Sequence, residues 1–100
     1  MRFERNGEFY EWDPDKELAN IKKHGVSFIE AATVFDDEDV TYLMDSKNSI
    51  TEERFLAIGY SEELNMLSVC HCLRENDNLT RIISARKPTK AEIKLYGRGF

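Results

Sequence analysis

The sequence is poor in the residues that build most small catalytic and cofactor centres. It contains two histidines, two cysteines and five glycines in 100 residues. Cys70 and Cys72 stand two apart. On a strand they would point the same way, too close to staple the chain, so they read as free thiols in a core and fit a reducing compartment. His24 and His71 are far apart in the chain. Neither an HExxH pattern nor a spaced Cys/His set accompanies them, so no metal is expected. No glycine-rich phosphate loop is present, and no cofactor is expected. No apolar run approaches the ~20 residues of a membrane helix. The opening MRFERNGEFYEW lacks the apolar stretch of a signal peptide, so no membrane association is expected and the cytoplasm is the expected location.

What is present describes one soluble domain over residues 1–100. Hydrophobic residues make up 41% and charged residues 33%, enough of both for a modest core and a charged surface. The net charge of −5 is unevenly spread. Residues 30–63 carry ten acidic side chains against Lys47 and Arg54. Residues 79–100 carry six basic ones, Arg81, Arg86, Lys87, Lys90, Lys94 and Arg98, against Glu92. The stretch RIISARKPTKAE, residues 81–92, thus concentrates positive charge in an acidic chain. It reads as a surface for an anionic partner, or equally as a solvated helix whose lysines favour its dipole.

The order of elements follows from apolar spacing and start signals. EFYEW (8–12) reads as a strand. Asp13-Pro14 opens a helix that His24-Gly25 closes. SFIE (27–30) is a capping-box pattern before a second helix reaching about Phe35, which DDED (36–39) ends. Strands follow at 40–45, 53–60, 66–73 and 79–86, separated by turn-forming stretches at 45–49, 61–65 and 75–78. TKAE (89–92) is a further capping box opening a C-terminal helix. The fold class is therefore α+β: an antiparallel β-meander with two N-terminal helices and one C-terminal helix, the helices expected on one face. Strand parity places Arg54 with Leu56 and Ile58, and places Arg81 and Arg86 on opposite faces unless a bulge intervenes.

The chemistry left to such a chain is that of cations near a sheet. When an RNA 2′-hydroxyl attacks the adjacent phosphate, guanidinium groups can hold that phosphate and stabilise its growing charge. A base must take the hydroxyl proton and an acid must supply one to the leaving oxygen. Arg54 and Arg86 are candidates for the first task and His71 for the second. Arg81, Lys87, Lys23 and His24 are candidates for holding RNA. Each has a plainer reading. Arg54 sits after Glu52 and Glu53 at a strand start, His71 lies between two core cysteines, and His24 stands where a helix-ending side chain bonds carbonyls.

The pieces EWDPDKELANIKKHGVSFIEAATVF, EERFLAIGY and RIISARKPTKAEIKLY together resemble the BrnT family, toxins of bacterial type II toxin–antitoxin pairs. The resemblance covers nearly the whole chain. It implies a compact RelE-like fold and an endoribonuclease that slows translation. It also implies a BrnA-like antitoxin with a ribbon-helix-helix domain, through which alone operator DNA would be reached. Carried over by position, Arg54 and Arg86 are the best active-site candidates, with Lys23 and His24 behind them; His71 rests on its chemistry. The rival expectation is a non-catalytic protein-binding module, or an inactive toxin that only modulates its antitoxin.

Overall fold

The computed structural model describes residues 1–45 and 52–98. Most of the turn expected at 45–49 lies outside the described residues. The chain runs β1 (Arg2–Arg5), β2 (Glu8–Glu11), α1 (Pro14–His24), α2 (Phe28–Thr33), a 3-10 turn (Val34–Asp36), β3 (Thr41–Met44), β4 (Phe55–Tyr60), β5 (Met66–Arg74), β6 (Leu79–Arg86) and α3 (Lys90–Leu95). The six strands form one sheet in the order β1-β2-β6-β5-β4-β3.

Strands β3 to β6 form the expected antiparallel meander. Two features correct the sequence reading of the sheet. A first strand, β1, pairs with β2 across Asn6-Gly7, both at positive φ. That Asn-Gly pair between alternating residues is a strong hairpin signal. Strand β2 then lies parallel to β6, so the sheet is mixed. The long crossover from β2 through the helices and the meander allows the parallel pairing.

The helices start and stop where the caps dictate. Asp13 accepts from the Asp15 N–H, and Gly25 closes α1 at φ 72° with its N–H on the Ile21 carbonyl. Thr89 and Glu92 form a complete capping box. At α2 only half of the expected box exists: Ser27 accepts from the Glu30 N–H. The Glu30 carboxylate turns away to accept from Ser61 Oγ and Asn65 Nδ2.

The sheet is covered on both faces, a further correction. Trp12, Phe28, Ala31, Ala32 and Val34 pack with Tyr10, Leu67, Val69, Ile82 and Ala85 in the core beneath α1 and α2. Helix α3 lies on the opposite face. Its Glu92 meets Arg86, Tyr96 packs edge-on to Tyr60 at 5.5 Å, and the Gly97 N–H donates to Thr41 Oγ1. Arg86, Ile58 and Thr41 stand in one row across β6, β5, β4 and β3, level with Ser68. This explains why both faces of each strand read as partly apolar: Ile58 is as buried as Ala57, but under a different helix.

Two side chains lock the layers. Asn20 of α1 donates to the Ala85 and Val26 carbonyls and accepts from the Ala85 N–H. Its amide thereby completes β6 beyond the end of β2, as a neighbouring strand would. Glu17 accepts from Trp12 Nε1 and from the Phe28 N–H, tying α1 to the start of α2. Gly59 lets β4 pass close to the 3-10 turn, since a Cβ there would lie 3.1 Å from both Val34 Cγ1 and Asp37 Oδ2 and one of them would have to give way.

Candidate functional site

Strand β6 contains a bulge that decides the site. Cys70 pairs with Ser84, but His71 pairs with Ile82, so Ile83 is an extra residue. An extra residue inverts the alternation of the strand. Arg81, opposite Cys72, therefore comes to the same face as Ser84 and Arg86, opposite Cys70 and Ser68. Arg54 belongs to this face too, because it precedes the Phe55–His71 pair and falls level with Cys72. Arg54 and Arg86 are four residues apart along the strands and two strands apart across them, a backbone separation of about 16 Å.

Asp45 lies among these arginines. Its N–H donates to the Arg54 carbonyl, and its carboxylate lies 3.8 Å from Cys70 Sγ. Burial, with Asp45 adding to it, pushes the Cys70 thiol up to about 11 while Arg54 pulls the other way. Burial also raises the Cys72 thiol. Both cysteines are free thiols and stay protonated at neutral pH. The Asp45 charge also acts on Arg86. Sequence reading passed over Asp45; its place at a strand end in an acidic segment gave no sign that the sheet would carry it among arginines.

Two of the basic side chains counted along residues 79–100, Arg81 and Arg86, are matched by carboxylates in space. Arg81 Nη1 lies 2.8 Å from Glu11 Oε2, which Arg74 also approaches. Arg74 reaches Glu52 at 3.0 Å. Arg86 binds Glu92 through two hydrogen bonds. Burial pushes the Glu92 carboxyl up, but hydrogen bonds from Arg86 and the Thr89 N–H outweigh it and hold the carboxyl below its ordinary value. Any RNA phosphate at Arg86 must share the guanidinium with this carboxylate.

His71 stands elsewhere. It shares the face of Val69 and Phe55, beneath the helices, and is 2% exposed. Its ring meets Phe35 edge-on at 4.9 Å, with Tyr42 and Phe55 at 6.0 Å, and Nδ1 lies 3.1 Å from the Val69 carbonyl. Burial lowers its pKa, opposed by that carbonyl. The three catalytic candidates therefore do not meet: Arg54 and Arg86 share one face, and the sheet separates His71 from them. Of the other candidates, His24 and Lys87 line one cleft of about 380 Å³ where α1 ends beside the residues after β6. Lys23, on the last turn of α1, is exposed and does not line it. Among the described residues, no three His, Cys, Asp or Glu side chains gather as a metal site. No helix among them is long and apolar enough to cross a membrane.

The chain is a small α+β domain with a mixed six-stranded sheet and an arginine-bearing face. The comparisons narrow the class. A family model described as the ribonuclease toxin BrnT of type II toxin–antitoxin systems matches residues 12–92, and the chain belongs to that family. The fold is similar to the crystal structure of the Brucella abortus ribonuclease toxin BrnT, with a TM-score of 0.59 and 23% identity over 79% of this chain and 94% of that one. No curated protein matches the chain.

Proposed function

We propose that this chain is a RelE-like, metal-independent endoribonuclease that cleaves cytoplasmic RNA, inhibits translation and is neutralised by a BrnA-like ribbon-helix-helix antitoxin. Operator DNA is then reached only through that antitoxin. The observation that carries the reading is that Arg54 and Arg86 share one sheet face, to which the β6 bulge brings Arg81, with Asp45 among them. At their spacing, Arg54 and Arg86 hold successive phosphates, because adjacent phosphates of an extended strand are separated by less than the reach of two arginine side chains. Lys87 and His24 extend the path past the end of β6, with Lys23 next to them on α1.

The step assigned to this face forms one bond and breaks one. Asp45 takes the proton of a 2′-hydroxyl, the 2′-oxygen attacks phosphorus, and the bond to the 5′-oxygen breaks. A 2′,3′-cyclic phosphate and a 5′-hydroxyl result, the leaving oxygen taking its proton from water. Guanidinium groups stabilise the phosphorane charge through paired N–H donors. Proton transfer belongs to Asp45 in place of His71 because a base must lie within hydrogen-bond reach of the proton it takes. His71 is across the sheet.

The test is single-stranded RNA with purified chain in EDTA. Wild type should cleave it. Arg86→Ala and Arg54→Ala should each lower the rate by roughly 10²–10³, and Asp45→Asn by a similar factor. Cleavage lost in EDTA ends metal independence. Undiminished cleavage by folded arginine variants ends the phosphate assignment. A chain that neither cleaves RNA nor arrests growth when produced alone is the non-catalytic module.

A further inference from the structure

The helix-covered face is open at one end. There Glu8, Asp36 and Asp77 rim a cleft of about 420 Å³ floored by aromatic side chains. Phe35, Tyr42 and Phe55 stand around the buried His71 ring. Tyr42 remains 44% exposed, and Leu73, also in the wall, 42%.

Among the described residues, the charged side chains of this wall are all carboxylates. The three rim residues are carboxylates. Asp36 already receives Arg5 Nε on Oδ2 at 2.6 Å, which leaves Oδ1 for a second donor. The aromatic faces are negative. With Nδ1–H directed at the Val69 carbonyl, the second nitrogen of His71 carries the lone pair, and no donor to it is found among the described residues. His71 lines the cleft, so a ligand N–H can donate to that nitrogen. Among the described residues, no lysine or arginine lines the cleft. Burial first, then the Asp36 and Glu8 charges, push the Tyr10 hydroxyl up to about 12, in keeping with the same negative potential.

We infer that this cleft binds a guanidinium group, an arginine side chain presented by the antitoxin, on the sheet face opposite the RNA-directed arginines. The inference rests on the reading above that the chain works with an antitoxin. A guanidinium matches the wall in each respect: it is planar and stacks on aromatic rings, always charged, and equipped with five donors for carboxylates and an imidazole nitrogen. An RNA phosphate is repelled by the same rim. The antitoxin then anchors on one face of the sheet while the chemistry lies on the other.

Two measurements test it. The first is an NMR titration with N-acetyl-arginine amide, with the neutral isostere N-acetyl-citrulline amide as control. The arginine compound should shift His71 and Tyr42 signals saturably, at least fivefold more tightly than citrulline. Equal binding, or shifts confined to other surfaces, overturns the inference. The second compares wild type with a Glu8→Gln/Asp77→Asn double variant of unchanged melting temperature. Its affinity for the antitoxin encoded beside it should fall at least tenfold in low salt, while RNA cleavage stays unchanged. Equal affinity overturns the inference. So does a loss of RNA cleavage in the double variant, which would mark the cleft as a pocket for a base edge. A chain that takes up the arginine compound but binds no antitoxin supports the cleft and sinks the reading of the partner, so the two failures are distinct.

Discussion

Arg86 and Glu92 are joined by two parallel hydrogen bonds, Nη1 to Oε1 at 2.9 Å and Nη2 to Oε2 at 3.1 Å. The same carboxylate accepts the Thr89 N–H at 2.8 Å, so the candidate phosphate ligand is also the anchor of α3. The end of β6, the helix cap and the arginine face are therefore mechanically linked through one ion pair.

Arg86 substitutions should consequently affect both stability and rate, and the two can be separated. Arg86→Ala leaves a buried carboxylate with fewer donors and should cost about 1–2 kcal/mol, toward the low end because the guanidinium is partly in water. Arg86→Lys should recover part of that stability but little of the cleavage rate, since a point charge lacks the paired donors. Urea denaturation beside single-turnover cleavage checks this. A lysine variant with wild-type rate would show that charge alone suffices.

Stability should fall as pH drops, in two stages. His71 is depressed in the fold by burial, so the neutral form is favoured in the native state, whereas the unfolded chain protonates near 6.5. Glu92 is depressed by Arg86 and Thr89 against its burial, and Asp37 by donors from Tyr60, Tyr96 and Asp39 against its own. For each group the native state binds fewer protons than the unfolded one. The stabilisation is therefore whole above the unfolded pKa and lost as pH falls through the folded one. Urea midpoints should decline from about pH 6.5 downward, more steeply below the carboxyl values of 4.5 and 3.8. Glu92→Gln should flatten the lower limb, and the His71 ring proton should titrate below 6.5 by NMR. A midpoint at or above 6.5 would contradict the burial of the ring.

Asn20→Ala should be among the most destabilising single changes in the helices. It removes three hydrogen bonds and strands the Ala85 N–H and two carbonyls in a buried layer, a loss of about 2–4 kcal/mol. Asn20→Asp should not rescue it, because a carboxylate accepts from the Ala85 N–H but faces the two carbonyls without a donor. Denaturant melts should rank both variants well below wild type. Hydrogen exchange should localise the loss to β6. Unchanged protection at Ala85 would mean that another group completes the strand.

Local chemistry determined much of this protein. The Asp13-Pro14 start, the Gly25 stop and the Thr89–Glu92 box each involve residues within a few positions of one another, and each stands in the structure where the sequence placed it. The four strands of the meander were legible because apolar alternation and turn residues act over the same short range. The Asn6-Gly7 turn signal also stood in the sequence but was passed over, and only the tertiary pairing of β2 with β6 gives β1 its place at the sheet edge. Tertiary structure alone decided the rest. The Ile83 bulge is a mismatch between two strands, absent from either strand taken singly, and it moves Arg81 to the face of Arg86. Charge counted along the chain could not reveal that Glu11 and Glu92 would fold against Arg81 and Arg86, since Coulomb attraction depends on distance in space. Nor could residue type place His71: its chemistry suits proton transfer, but the pleat turns each side chain to one face, and its face is that of Phe35 and the core beneath the helices.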